Sequence, residues 1–360
     1  MSGPIILSYQ GARPALAAGA SLAAESAVIG RVRAGRGLTL RRLAVLRADG
    51  HDITLGDDCF FAERATCHIA DKVFPSIVGA RVSVGAYALV HACTVGEDCV
   101  IGEQAVVMDG AVVGDGAVIA AGALVPPGKT LDAGMVHAGS PARPLRPVSA
   151  EERLRLHAAI RAGNAIDPVA ADDLPALESA SLRPPGVGPL YPLGGARPIL
   201  AERVYVAPGA VVAGNVVTAR DVSIWFACVL RADGASITIG ARSNVQDNSF
   251  VLTDAKRGPI TIGADVTVGH NVRMGACLIE DRALIGMGSI LGDGVVVEQG
   301  AMVGARALVE PATVVKAGWI WAGRPAREFR RVKPEEHDYF QRGKDVYVGY
   351  THAYLAEIAA

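Results

Sequence analysis

Residues 95–124 read VGEDCV, IGEQAV, VMDGAV, VGDGAV and IAAGAL. A branched aliphatic residue opens each hexad and the next: Val95, Ile101, Val107, Val113, Ile119 and Val125. The second half of the chain repeats the pattern at Ile279, Ile285, Leu291, Val297, Val303 and Val309. A period of six does not match the three-to-four spacing of an amphipathic helix or the two-residue alternation of a simple hairpin. The abundant Gly and β-branched residues are also poor helix formers. A period of six suits a β-solenoid whose coil has three short faces. One branched residue per face points to the axis, and small residues occupy the corners.

A longer period lies over the short one. GARP at Gly11–Pro14 returns at Gly195–Pro198, and VLRADG at Val45–Gly50 returns at Val229–Gly234. AGSPAR at Ala138–Arg143 returns as AGRPAR at Ala322–Arg327. The offset is 184 residues in all three cases, so the chain is a tandem duplication aligned without a net gap. Each copy ends in a charged segment with helical character. In the first, Ser149 and Glu152 form a capping-box pattern at the head of SAEERLRLHAAIRAG. The second begins near Pro334, Glu335 and Glu336. The expected organisation is a β-helix domain over 1–165, a Pro-rich linker over 166–192, and a second β-helix domain over 193–360. Each domain ends in a helix.

Composition narrows the function. The formal net charge is -1 across 360 residues, so no global basic field attracts nucleic acid. Hydrophobic residues make up 51% and aromatics only 5%, which fits a core of Val, Ile, Leu and Ala. No apolar run has transmembrane length, and the first residues lack the basic and apolar regions of a signal peptide. The six cysteines, Cys59, Cys67, Cys93, Cys99, Cys228 and Cys277, contain no CxxC pair. They read as reduced, buried thiols of a cytoplasmic protein.

The VLRADG segment, the GxxVxVG coils and the AG(S/R)PAR ending resemble the γ-class carbonic anhydrases across nearly all of each copy. The resemblance implies left-handed parallel β-helices, each with a C-terminal α-helix, assembled as trimers. In that family three histidines hold a metal between adjacent subunits. The first follows an N-I-Q-D-x-S-x-x-H stretch, and the other two lie in G-H-x-x-x-x-H-x-C. One subunit supplies the first and third, and its neighbour supplies the second.

Copy one carries His68 in the first role and His91 in the third, but Ala86 in the second. Copy two carries His270 in the second role, with Leu252 and Gly275 in the others. Neither copy has a complete triad. Together they fill each role once, divided as the family divides it between subunits. The resemblance therefore implies one composite metal site made by His68, His91 and His270. Zinc is the expected ion, with iron or cobalt as alternatives.

Copy two also keeps Gln246 and Asp247, where copy one has Ala62 and Glu63. In the family this Gln and Asp orient water or substrate near the metal. His51 or bulk water is the candidate proton carrier, and His51 also reads as a surface-loop histidine. Arg47 and Asp49, with Arg231 and Asp233, match the family's R-x-D and read as interface residues. His137, His157, His337 and His352 sit in no motif. Tyr339, Phe340, Tyr347, Tyr350 and Tyr354 read mainly as the packed face of the last helix.

The expected activity is metal-hydroxide attack on CO2, a small-molecule substrate, in a homo-oligomer of three two-domain chains. A metal-dependent hydrolase of a thioester, ester or amide is an alternative. A metal-free scaffold is an alternative of another class. A hexapeptide acyltransferase fits less well, because the histidines occupy the carbonic-anhydrase positions. No nucleic-acid or membrane partner is expected.

Overall fold

The structure is a computed structural model that describes residues 3–163 and 188–359. The chain divides into two compact units, Met1–Ala170 and Ala171–Ala360. Both are β-solenoids with parallel coils. The hexad reading holds residue by residue. Val95 pairs with Val113, Ile101 with Ile119, and Val107 with Val125, each one coil of eighteen residues further on. All six are almost wholly excluded from solvent. Each such Val or Ile stabilises the coil by about 1.5–3 kcal/mol relative to an exposed one.

Between these residues a small side chain also turns inward. Ala105, Ala111, Ala117 and Ala123 form part of the same core, and Cys93 and Cys99 continue that row. Cysteine here acts as a small hydrophobe. All six cysteines are buried and unbridged. Burial pushes the Cys99 and Cys277 thiols up to about 12, so neither is a thiolate near neutrality.

In the first unit, two of the three faces are joined through one long strand, Val45–Leu55, which passes around a corner. The third face is an eight-stranded sheet whose last strand, Arg143–Pro147, runs antiparallel. Helix α1 (Ala150–Ala162) packs on this third face, with Leu156 and Ile160 against Val100, Val118 and Val136. Ser149 caps the helix by accepting a hydrogen bond from the Glu152 amide. The second unit repeats the plan, with Val229–Ile239 as the corner strand.

Helix α2 (Pro334–Ala359) packs on the second unit. Tyr347, Tyr350 and Tyr354 surround the fully buried Trp225, and Tyr354 stacks on Tyr205 at 4.9 Å. These three tyrosines are packing residues; the side chains of Tyr339 and Phe340 lie outside the described residues. No helix among the described residues is long and apolar enough to cross a membrane.

The linker expected over 166–192 falls mostly outside the described residues. Its last part needs correction. Leu190–Tyr191 is a strand paired with Val211–Thr218, so the second β-helix begins before residue 193. The competing signal was Pro189 and Pro192, which flank a strand short enough to need no further residues.

Candidate metal centre

In the first unit, Arg47, His68 and His91 occupy one ladder on successive coils: Arg47 pairs with His68, and His68 with His91. Parallel strands repeat about every 4.8 Å, which brings neighbouring side chains of a ladder into contact. The two imidazole centroids are 5.2 Å apart. His68 Nδ1 and His91 Nε2 approach to 3.2 Å. Both residues are buried.

The opposite nitrogen of each ring meets a carboxylate. His68 Nε2 lies 3.2 Å from Asp49 Oδ1, and His91 Nδ1 lies 2.6 Å from Asp109 Oδ1. An ionised carboxylate only accepts, so the nitrogen facing it carries the hydrogen. With both rings neutral, that leaves a lone pair on His68 Nδ1 and another on His91 Nε2, pointing at the same small volume. Two lone pairs at 3.2 Å repel unless a cation lies between them. Two imidazoles bound tetrahedrally at 2.0–2.1 Å from one ion would have nitrogens about 3.3 Å apart. The donor set fits a transition metal.

Asp49 is anchored in turn. Its other oxygen accepts from Arg47 Nη1, and both side chains are fully buried. The equivalent Arg231–Asp233 pair is closed at 2.7 Å but is partly exposed. Sequence comparison treated the two pairs alike as interface residues; the structure ties Asp49 to His68.

In the second unit, His270 sits at the corner between Thr267–Val268 and Arg273–Met274. Its Nδ1 is 3.0 Å from Asp247 Oδ2, and both side chains are fully buried. Asp247 Oδ1 accepts from the Phe226 amide at 3.0 Å. Asp247 therefore lies against the Nδ1 side of the His270 ring, with Nε2 on the other side. Gln246 donates from Nε2 to Asn244 Oδ1, and Asn244 donates to Thr267 Oγ1, both at 3.1 Å. Gln246 Oε1 is buried without a hydrogen-bond partner among the described residues.

The unfilled roles are visible in both units. Leu252 takes the ladder position beside Arg231. At Gly275 an added Cβ would fall on Asp293 Oδ1, which accepts from the Ala276 amide at 2.9 Å. In copy one, Ala86 lies at a corner and His91 at the far end of the following strand, Leu89–His91.

His51 is partly exposed. Its Nδ1 accepts from the Asp52 amide at 2.8 Å. Three of the unassigned histidines make structural contacts: His137 donates to the Asp132 carbonyl, His157 docks α1, and His352 contacts Asp221, while His337 is exposed. Asp109 is the residue that motif reading passed over. It lies eighteen residues after His91, one full coil, and that spacing was available in the sequence.

Comparison with known proteins agrees with this architecture. The six-repeat bacterial transferase hexapeptide family matches residues 92–127. The hexapeptide repeat of succinyl-transferase matches residues 259–292 and 277–305. Mitochondrial gamma carbonic anhydrase 1 of Arabidopsis thaliana is 41% identical over 167 residues, which are 45% of this chain and 61% of the plant protein. The chain thus spans about three fifths of the plant relatives it matches. Protein YrdA of Escherichia coli is 38% identical over 164 residues, covering 44% of this chain and 89% of YrdA. Among solved structures, a hexapeptide transferase family protein from Anaplasma phagocytophilum is 37% identical, with a TM-score of 0.44. That match covers 45% of this chain and 96% of the other. With its hexads, its duplicated coils and these relatives, the chain belongs to the γ-carbonic anhydrase-like family of left-handed β-helix proteins.

Proposed function

We propose that this protein is a γ-carbonic anhydrase-like metalloenzyme that hydrates CO2 reversibly, using one set of ligands drawn from both halves of the chain. His68 and His91 supply two ligands and His270 the third. The observation that carries the reading is the 3.2 Å approach of His68 Nδ1 to His91 Nε2, with the remaining nitrogen of each ring on a carboxylate. The roles left empty at Ala86, Leu252 and Gly275 support a division of labour, because neither half keeps three histidines.

His68, His91 and His270 would hold the ion, and a zinc ion held by them would supply water activated to a pKa of about 7, a nucleophile near neutral pH. Iron or cobalt would fit the same donors. The chain's own groups do the rest. Asp49, Asp109 and Asp247 hold the imidazoles in fixed tautomers. Gln246 offers a buried acceptor, Oε1, to a hydroxyl hydrogen of water or bicarbonate. His51, partly exposed, carries protons to solvent. The substrate is a small molecule, and the working form is a homo-oligomer of three chains, located in the cytoplasm.

Elemental analysis and a CO2-hydration assay on the same preparation test the reading. The expected result is up to one equivalent of transition metal per chain together with hydration activity, both lost in His270→Ala. Metal with thioester or ester hydrolysis but no CO2 hydration would assign the site to a hydrolase. A folded chain that takes up no added zinc, iron or cobalt would make it a scaffold.

A further inference from the structure

Asp109 and Asp293 occupy the same position in the two copies, 184 residues apart. Each lies one coil beyond the third histidine role. Where that role is filled, by His91, Asp109 Oδ1 meets the imidazole Nδ1 at 2.6 Å. Where it is empty, at Gly275, Asp293 Oδ1 takes up the space and accepts from a backbone amide instead. The duplication therefore contains its own control. The carboxylate engages an imidazole only in the copy that retains one.

The two carboxylates of the first unit also act on opposite nitrogens. Asp49 holds His68 by Nε2, whereas Asp109 holds His91 by Nδ1. From these contacts, and resting on the metal-site reading above, we infer that Asp109 is a positioning residue for metal capture. It fixes the His91 tautomer so that Nε2 binds the metal, while Asp49 fixes His68 to bind through Nδ1. Without Asp109, the His91 proton can move to Nε2, the atom facing His68, and the ring is free to rotate. Both changes remove a ligand lone pair before the ion arrives.

The test is a competition titration of the full chain with zinc against a chromophoric chelator, with cobalt absorption spectra as a second readout and circular dichroism as the folding check. Asp109→Ala is expected to weaken zinc binding about 10–100-fold, the usual range for loss of such a partner. Asp109→Asn keeps an amide oxygen that accepts the Nδ1 hydrogen, so its loss is expected to be smaller. It also serves as the measurement if the alanine variant does not fold. Asp293→Ala is expected to bind zinc as the unaltered chain does. Equal weakening by Asp109→Asn and Asp293→Ala would reduce both carboxylates to coil supports and overturn the inference. Zinc binding lost in His91→Ala but unchanged in both Asp109 variants would overturn it while leaving the metal site intact. An unaltered chain that binds no zinc would overturn the functional reading and this inference with it.

Discussion

His68 Nδ1 and His91 Nε2 face each other at 3.2 Å across adjacent coils, and each ring is held from behind by its own aspartate. This contact follows from the register, which pairs the two residues directly in a parallel ladder. The side chains extend from the ends of short strands and do not belong to the Val and Ile axis. Removing either imidazole should spare the coil and remove the ligand pair. His68→Ala and His91→Ala are each expected to leave the far-UV circular dichroism spectrum unchanged and to purify without metal. His51→Ala is expected to retain its metal, since the contacts of His51 are with Asp52. Metal retained at full occupancy in His91→Ala would place the ligands elsewhere.

Gly275 and Asp293 make the opposite point in the second copy. The carboxylate occupies the space that a side chain at 275 would need, and it satisfies the amide of the buried Ala276. Gly275→Ala must turn Asp293 away and orphan that amide, a cost of about 1–3 kcal/mol. Asp293→Ala orphans the same amide directly. The two substitutions should therefore be strongly non-additive: once one is present, the other adds little. Urea unfolding of the two single variants and the double variant measures this. Simple addition of the two losses would show that Asp293 does not fill the place left by the missing histidine.

The hexads and the 184-residue offset made most of this architecture legible. The hydrophobic period fixes which residue of each coil turns inward, and Val95 to Val125 behave accordingly. His68, His91 and His270 were singled out by their positions in a resembling motif, and the structure brings His68 and His91 together. What escaped the reading depended on neighbours in space. Asp49 looked like a partner for Arg47, and only the register showed it also reaching His68. Asp109 stands in an ordinary-looking hexad, VMDGAV, and its meaning appears once eighteen residues are seen to be one coil. The Leu190–Tyr191 strand was hidden because two prolines and adjacent loop-like residues outweigh two strand residues in any local reading.

The corners of the coil separate two reasons for glycine. Gly300 has φ of +66°, and an added Cβ there would meet nothing within 4 Å. The chain itself places Arg282 and Arg306 at corresponding corners with φ of +60°. Gly300→Ala should therefore cost only the left-handed backbone penalty, about 1 kcal/mol. Gly286 has no such φ, but its Cβ would lie 2.5 Å from the Ala305 nitrogen and 2.6 Å from the Gly304 carbonyl carbon. Those atoms belong to the backbone of the next coil and cannot rotate aside. Gly286→Ala should cost about 3 kcal/mol. Thermal unfolding of the two variants would rank them, and equal losses would mean that coil contact does not select glycine at this corner.

Helix α1 carries a pH-sensitive joint. His157 Nδ1 lies 2.8 Å from Ser83 Oγ, and its Nε2 lies 3.5 Å from Asp98 Oδ1. Burial is the largest influence and lowers the pKa from its usual 6.5; Asp98 opposes the shift, while Arg161 and Arg153 add to it. The folded chain therefore resists the proton that the unfolded chain accepts. Stability from this group is full above the unfolded value of about 6.5 and is lost as pH falls through the lower folded value. Asp221, held down to about 2 chiefly by its hydrogen bonds from Arg203, stays ionised throughout this window and does not contribute to the loss. Hydrogen exchange of the α1 amides, corrected for intrinsic rates, is expected to show weaker protection at pH 5 than at pH 7.5. His157→Asn cannot take up a proton in this range, so its α1 protection should change less between the two pH values. An equal decline in both proteins would remove His157 as the origin of the sensitivity.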